Sequence, residues 1–338
     1  MTREANDVQD VITVIIVSWN VREYVEECLR ALLRFSSGLS LQVIVVDNGS
    51  ADGTVQMVRE QYPKIELIAL PTNVGFPAAN NVAIRRAIGR YVLLLNPDTV
   101  VQEGCLQRCI KALAGDATVG MSGCRLIYPD GAVQYECAAS LPSLWDVPIE
   151  AFYLHMLLPR NPVFGRLRMS YWDHMSDRLV PRISGAFMMI RSDVLAQVGM
   201  MDERIFMYYE DIDLCARVTE AGWRIQYVSD AITVHYGGRS AALSSLALDE
   251  LAPQVRFTYF LDHKGRHYAY VYRALCVIQS AIRIAIALVL VGVLPPNAQL
   301  RKRPVSKVGT HWRRLLWSIG LAEMQSYRGN GRAGTVVQ

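Results

Sequence analysis

Three short apolar runs constrain this chain more than any other feature. Val11 to Ser18 (VITVIIVS), Leu41 to Asp47 (LQVIVVD) and Tyr91 to Asn96 (YVLLLN) are strand-length and almost free of polar residues. A strand that is apolar throughout is one buried on both faces, as in a parallel sheet covered by helices. Between the runs the period changes. Val25, Cys28, Leu29, Leu32 and Leu33 recur at helical spacing within Val21 to Arg34. Thr54 to Gln61 and Ala78 to Ile88 read as further helices, and Ile65 to Leu70 as a further strand. The alternation predicts an α/β domain with a mostly parallel sheet flanked by helices. Ligands of such sheets bind outside the carboxyl ends of the strands. Ser18 to Asn20, Asp47 to Ser50 and Asn96 to Asp98 occupy those ends.

Further on, Val119 to Tyr128 and Ile183 to Arg191 predict strands, Asp211 to Ala221 a helix, and Arg224 to Val228 and Ile232 to His235 two short strands. Cys137 to Pro181 is rich in Pro, Trp and Tyr and has no period, which suits a binding loop or lid.

The 338 residues are enough for two domains, and 51% hydrophobic content excludes a disordered chain. Charge marks the division. From Arg256 to Gln338 there are 13 Lys and Arg against 2 Asp and Glu, so the net +4 conceals an acidic body and a basic tail. We expect a main domain over residues 1–250 and a basic, apolar helical region over 251–338. Ala274 to Leu294 is mostly apolar but contains Arg283, and Pro295-Pro296 ends it. Its uninterrupted part, Ile284 to Leu294, would span about 16 Å as a helix, against a hydrocarbon core of about 30 Å. The expectation is an interfacial or partly inserted helix, not a full span. Lys307 to Ile319 would place Val308, Trp312, Leu315, Leu316 and Ile319 on one face, beside the basic Lys307, Arg313 and Arg314, with Trp317 as an interfacial aromatic. Arg301-Lys302-Arg303 suits anionic headgroups. An ordinary helix packed on the main domain is the plainer alternative. Basic charge joined to apolar sequence points to a membrane surface and not to nucleic acid. The seven cysteines, an odd number without a CxxC pair, fit a reducing compartment. Met1 to Asp10 lacks the basic start of a secretory signal, so the body is expected in the cytoplasm.

Three clusters carry chemistry. VDNGSADGT (Val46 to Thr54) sets Asp47 at a strand's carboxyl end, followed by a turn through Asn48, Gly49, Asp52 and Gly53. A carboxylate there can accept from a base N–H or a ribose hydroxyl; a plain strand-to-helix turn capped by Asp52 is the simpler reading. LLLNPDT (Leu93 to Thr99) delivers Asp98 to the same edge, where a carboxylate suits Mg²⁺ or Mn²⁺, or merely closes an Asn-Pro-Asp turn. In Met207 to Gly238, Glu210, Asp211 and Asp213 open a helix, either as caps or with one acting as a general base. His235 ends a short strand before Gly237-Gly238, which fits a metal ligand or phosphate contact.

The ordered blocks VSWN (Val17 to Asn20), VDNGSADGT, NVGFPAANN (Asn73 to Asn81), LLLNPDT, SGAFMMIR (Ser184 to Arg191), YYEDIDLCARVTEAGW and VHYGG together resemble the family 2 glycosyltransferases of GT-A fold, and most of all their bacterial rhamnosyltransferase-type branch. The resemblance spans about Val11 to Gly238. It implies inverting transfer of a sugar from a dTDP- or UDP-linked donor, with dTDP-L-rhamnose the first expectation. The acceptor would be a hydroxyl of a glycan or lipid-linked glycan in cell-surface polysaccharide synthesis. Another hexose from a UDP donor, or a non-catalytic sugar-nucleotide-binding scaffold, is the rival expectation. The resemblance also divides the main domain into a donor-binding half at about 11–128 and an acceptor and catalytic half at about 129–250.

By position, Asp47 would contact the base, with Ser18, Asn20 and Asn48 lining that pocket. Asn73, Gly75 and Asn80 would flank the donor. Asp98 matches the last acid of the family's DxD motif, while Asn96 stands where its first Asp would be. Asp98 and His235 would hold Mg²⁺ or Mn²⁺. Asp211 matches the catalytic base, with Glu210 its rival. Trp145, Trp172 and Tyr209 would present aromatic faces to the acceptor. The expected location is the cytoplasmic side of the plasma membrane, peripheral or monotopic.

Overall fold

The computed structural model describes residues 11–237, 245–293, 299–321, 325–328 and 332–335. The expectations for Met1 to Asp10, Gly238, Leu294 and Pro295-Pro296 fall outside the described residues, and the side chains of Arg301, Lys302, Arg303 and Lys307 fall outside the described side chains. The chain divides into two units: Met1–Ser140 with Trp172–Ala242, and Leu141–Tyr171 with Leu243–Gln338.

The first unit opens with β1 (Ile12–Ser18), α1 (Arg22–Phe35), β2 (Leu41–Asp47), α2 (Thr54–Gln61), β3 (Glu66–Ala69), α3 (Phe76–Ile84) and β4 (Tyr91–Leu95). β5 (Thr99–Val101), α4 (Cys105–Gly115), β6 (Val119–Ile127) and the two-residue β7 (Ala138–Ala139) follow. The chain then supplies α5 (Asp146–Ala151) and α6 (Leu154–Leu157) to the second unit. It returns through β8 (Arg178–Leu179), β9 (Arg182–Ile183), β10 (Phe187–Arg191), α7 (Ser192–Val198), α8 (Glu210–Glu220) and β11 (Arg224–His235).

One nine-stranded sheet runs β3-β2-β1-β4-β10-β6-β11-β5, with β8 beside β11. β3, β2, β1 and β4 are parallel, β10 runs against β4 and β6, and β11 is parallel to β6 with β5 antiparallel to it. Every residue of β1 and β4 is buried, the two-sided burial their composition demands. Because β10 is reversed, its beginning, not its end, arrives at the carboxyl edge of its neighbours. His235, at the end of β11, reaches the same edge and pairs in register with Thr99.

Several elements depart from expectation. Ile183 to Arg191 is two strands, because β9 leaves the large sheet and pairs with β7. Arg224 to His235 is one strand with its register broken between Val228 and Ile232. In that break the Ser229 N–H and hydroxyl donate to the Asp177 carboxylate, which replaces the missing ladder partners. α3 starts at Phe76, two residues before the expected Ala78, and ends at Ile84. Gly75, at φ 95°, makes the turn into it, and Pro77 fits the first turn, where an N–H has no helical partner. All seven cysteines are buried free thiols.

The second unit joins α5 and α6 to α9 (Ser245–Lys264), α10 (Arg266–Val293), α11 (Gln299–Ser318) and the antiparallel pair β12 (Gln325–Arg328) and β13 (Arg332–Thr335). Phe260 of α9 packs edge-on against Tyr268 and Tyr272 of α10. Within α10, Arg266–Val289 is long and apolar enough to cross a membrane. Arg283 does not point into open space: its guanidinium donates to the Glu150 carbonyl and lies 3.4 Å from the Tyr153 ring centroid. Trp317, expected as an interfacial aromatic, is buried, with Phe257 against its ring and the Arg273 guanidinium 5.4 Å above it.

Candidate functional site

The carboxyl edge of the sheet gathers the acids. In register, Asp47 lies beside Ser18 on β1, and Ile16 lies beside Leu95 on β4. Asp47 and Asn96 therefore stand two strand spacings apart, about 10 Å. Asp47 is buried, accepting from the Ser18 hydroxyl at 3.1 Å and the Ser50 N–H at 2.9 Å. The Ser50 hydroxyl accepts from the Asn20 N–H, and the Asn20 side chain accepts from the Ala51 N–H. Asn48 donates to the Asn73 side chain at 2.9 Å and accepts from the Val74 N–H, while the Gly75 N–H donates to Asn73. A Cβ on Gly49 would lie 2.9 Å from the Thr72 backbone, so only glycine lets these loops meet. The loops after β1, β2 and β3 thus form one hydrogen-bonded wall. Asn80 is buried in α3 and donates to the Phe76 carbonyl.

The Asn96-Pro97-Asp98 turn closes through the Thr99 hydroxyl, which donates to the Asn96 carbonyl at 2.6 Å. The Asn96 N–H donates to the Ala186 carbonyl at 3.0 Å, at the start of the reversed β10. One residue earlier, the Gly185 N–H donates to Asp211 Oδ2 at 3.0 Å. The acidic end of α8 is thereby fastened beside the Asn96–Asp98 turn. Tyr208 and Tyr209, immediately before α8, both hold positive φ, 69° and 75°. Consecutive bulky residues in that region store strain of order 1–3 kcal/mol each and mark a constrained approach. The approach is anchored where the Phe76 N–H donates to the Phe206 carbonyl and Asn81 donates to the Met201 carbonyl.

Burial and the carboxylates of Glu210 and Asp98 push the Tyr208 hydroxyl up to about 12, so both acids sit close to one phenol. Glu210 and Asp211 differ sharply. Glu210 is buried, its Oε2 has no hydrogen-bond partner, and burial beside Asp211 lifts its carboxyl to about 8. Asp211 is half-buried and open enough to meet a ligand. Asp213 is paired with Arg217, whose Nε and Nη2 both donate to Oδ2, at 2.9 and 2.7 Å.

Glu210 also makes stability depend on pH. The native carboxyl keeps its proton to about pH 8, whereas the unfolded chain releases it near 4.5. The native state therefore binds more protons between those values, and stability falls as pH rises through them. Glu210→Gln removes the charge that must not form. Its melting temperature should exceed that of the parent by several degrees at pH 8 and match it near pH 4.5; an equal shift at both would remove the assignment.

His235 and Asp98 form the second focus. His235 Nε2 lies 3.5 Å from Asp98 Oδ1, buried and without a hydrogen-bond partner. Gln134 explains the ring's protonation. Its amide nitrogen donates to the His235 carbonyl at 2.6 Å, which turns Oε1 toward His235 Nδ1 at 2.8 Å. Nδ1 must then carry a hydrogen, which leaves Nε2 as the nitrogen that faces the carboxylate of Asp98. A ring nitrogen and a carboxylate oxygen that face each other at 3.5 Å without a hydrogen bond fit a divalent cation held between them. Among the described residues no cluster of three or more His, Cys, Asp or Glu donors occurs. Gln134→Leu should shift the apo protein's His235 toward the other tautomer, read from ¹⁵N-histidine resonances, and weaken Mn²⁺ binding about tenfold. Unchanged resonances would show that Gln134 does not set the tautomer.

Sequence reasoning missed Gln134, Gly185 and Tyr208. Tyr208 adjoins the expected Tyr209 and Gly185 lies within the SGAFMMIR block, but nothing local singles out Gln134. Of the expected acceptor aromatics, half-buried Tyr209 caps the acidic helix. Trp172 stacks on His174 at 4.1 Å and donates to Ser176. Trp145 belongs to the second unit and is 74% exposed.

The pattern named "Glycosyl transferase family 2" matches residues 13–199. The chain is 32% identical over 242 residues to the N-acetylglucosaminyl-diphospho-decaprenol L-rhamnosyltransferase of Mycobacterium tuberculosis, covering 68% of this chain and 78% of that one. It is 27% identical over 235 residues to rhamnosyltransferase WbbL of Escherichia coli, covering 67% and 83%. The mannosyltransferase PcManGT from Pyrobaculum calidifontis, solved with GDP-Man and Mn2+, shares the fold at a TM-score of 0.57 and 18% identity, over 91% of this chain and 87% of that one.

Proposed function

This chain belongs to glycosyl transferase family 2, and from that membership we propose that it moves L-rhamnose from dTDP-L-rhamnose to a hydroxyl of N-acetylglucosamine carried on a polyprenyl diphosphate. The transfer inverts the sugar carbon and serves cell-surface polysaccharide synthesis at the cytoplasmic face of the membrane. The observation that carries this reading is the 32% identity with the mycobacterial rhamnosyltransferase across 242 residues.

The geometry supports the chemistry. Ser18, Asn20, Asp47 and Asn48 form the wall assigned to the nucleotide, with Asn73, Gly75 and Asn80 assigned to flank the donor. Asp98 and His235 are the residues that would hold Mg²⁺ or Mn²⁺, with Asn96 contributing no charge. Bound there, such an ion neutralises charge developing on the departing diphosphate. Asp211 takes the proton of the acceptor hydroxyl as its oxygen bonds to the sugar carbon and the bond to the diphosphate breaks. A single base with no covalent intermediate yields inversion. Glu210 is the poorer candidate for that step, because its carboxyl is sealed from any acceptor. Tyr209 and Trp172 are assigned to acceptor contact; Trp145 is assigned below.

The test presents full-length protein with a short-chain prenyl diphosphate bearing N-acetylglucosamine, Mn²⁺, and dTDP-L-rhamnose or UDP-hexoses in turn. Mass spectrometry should show one deoxyhexose added, from the dTDP donor alone. Equal transfer from UDP-galactose or UDP-glucose would replace the rhamnosyl assignment.

A further inference from the structure

We infer that residues 141–171 form a wedge that seats the second unit in an anionic phospholipid leaflet. The inference rests on the lipid-linked acceptor proposed above. The segment is inserted between β7 and β8, yet it packs with the C-terminal helices of the second unit. It exposes large apolar side chains in close succession: Trp145 at 74%, Phe152 at 52%, and Met156, Leu157 and Leu158 at 67%, 70% and 50%. Soluble surfaces rarely show such a concentration.

Two observations identify lipid as the occupant. The first is continuity with α10, the span-capable helix. Arg283 is bound to the Glu150 carbonyl and the Tyr153 ring, so the two elements are joined there. About one turn beyond the junction α6 exposes Met156 and Leu157, and about a turn and a half beyond it α10 exposes Leu288 and Val289 at 59% and 63%. The second is charge. The segment has two acids, and both are consumed: Asp146 pairs with Arg166 at 2.8 Å and Glu150 with Arg256 at 3.0 Å. Arg160 and Arg168 are exposed, and the chain from Arg256 onward has 13 basic against 2 acidic residues. Apolar side chains preceded by a tryptophan and followed by arginines match the chemistry of an interfacial element on anionic lipid.

The test sediments full-length protein with phosphatidylcholine vesicles containing phosphatidylglycerol. Leu157→Glu/Leu158→Glu should lower the partition coefficient about tenfold or more, with donor binding and circular dichroism unchanged. In the parent chain, bromine-labelled acyl chains should quench Trp145, read as the difference from Trp145→Phe, a variant that keeps the fold. Partition within about twofold of the parent, or no Trp145 contribution to quenching, overturns the wedge. So does a double variant that only converts a dimer to a monomer, since the patch then covers a second copy. Vesicle binding without sugar transfer would leave the wedge and remove the transferase reading; transfer to a short-chain acceptor without vesicle binding would do the reverse.

Discussion

Asp211→Asn should lower turnover by about 10³-fold while donor affinity stays within about threefold of the parent. The asparagine keeps an oxygen for the Gly185 N–H, so the junction between α8 and the reversed β10 survives. What it cannot do is accept a proton from an alcohol at neutral pH. The loss should therefore fall on kcat, measured by release of nucleoside diphosphate, and spare the dissociation constant measured by calorimetry. A loss below about tenfold would remove Asp211 as the base and require the Glu210 carboxyl to open to the acceptor.

Asp98→Ala should cost about 100-fold in kcat/KM and abolish Mn²⁺-dependent strengthening of donor binding. Unlike Asp211, Asp98 is buried at the sheet edge, and its carbonyl also accepts from the Tyr236 N–H at 3.0 Å. That backbone bond is untouched by the substitution, so the turn should hold while the carboxylate is lost. Because the turn is Asn96-Pro97-Asp98, no second carboxylate on it can compensate. Full activity of the parent chain in excess EDTA would refute the metal assignment.

The parallel half of the sheet was legible because its strands are buried on both faces, and that condition writes itself into residues such as Ile12–Ser18 and Tyr91–Leu95. α4 also carries Leu106, Cys109 and Leu113 at helical spacing, but lies outside the elements expected above. The stretch from Cys137 to Pro181 was opaque for a different reason. Its ends belong to one unit and its middle to the other, so its burial is set by residues far away along the chain. The same distinction runs through the site. Asp47, Asp98, Asp211 and His235 announce themselves by charge at an element's end. Gln134 does not, since its meaning comes from a histidine 101 residues later. Gly185 matters only because β10 is reversed, and no local period encodes the direction of a neighbour.

The buried thiols have a practical consequence. Burial raises Cys28 and Cys215 to about 12 and Cys137 to about 11, far from the ionised form that reacts with electrophiles. Because all seven thiols are buried, Cys105 included, whose neighbouring thiols and Thr233 hydroxyl pull it down, maleimide reagents should pass over the native molecule and attack it only as it opens. One engineered cysteine on the outside would then accept a dye or spin label at a single address, with none of the seven natural ones removed.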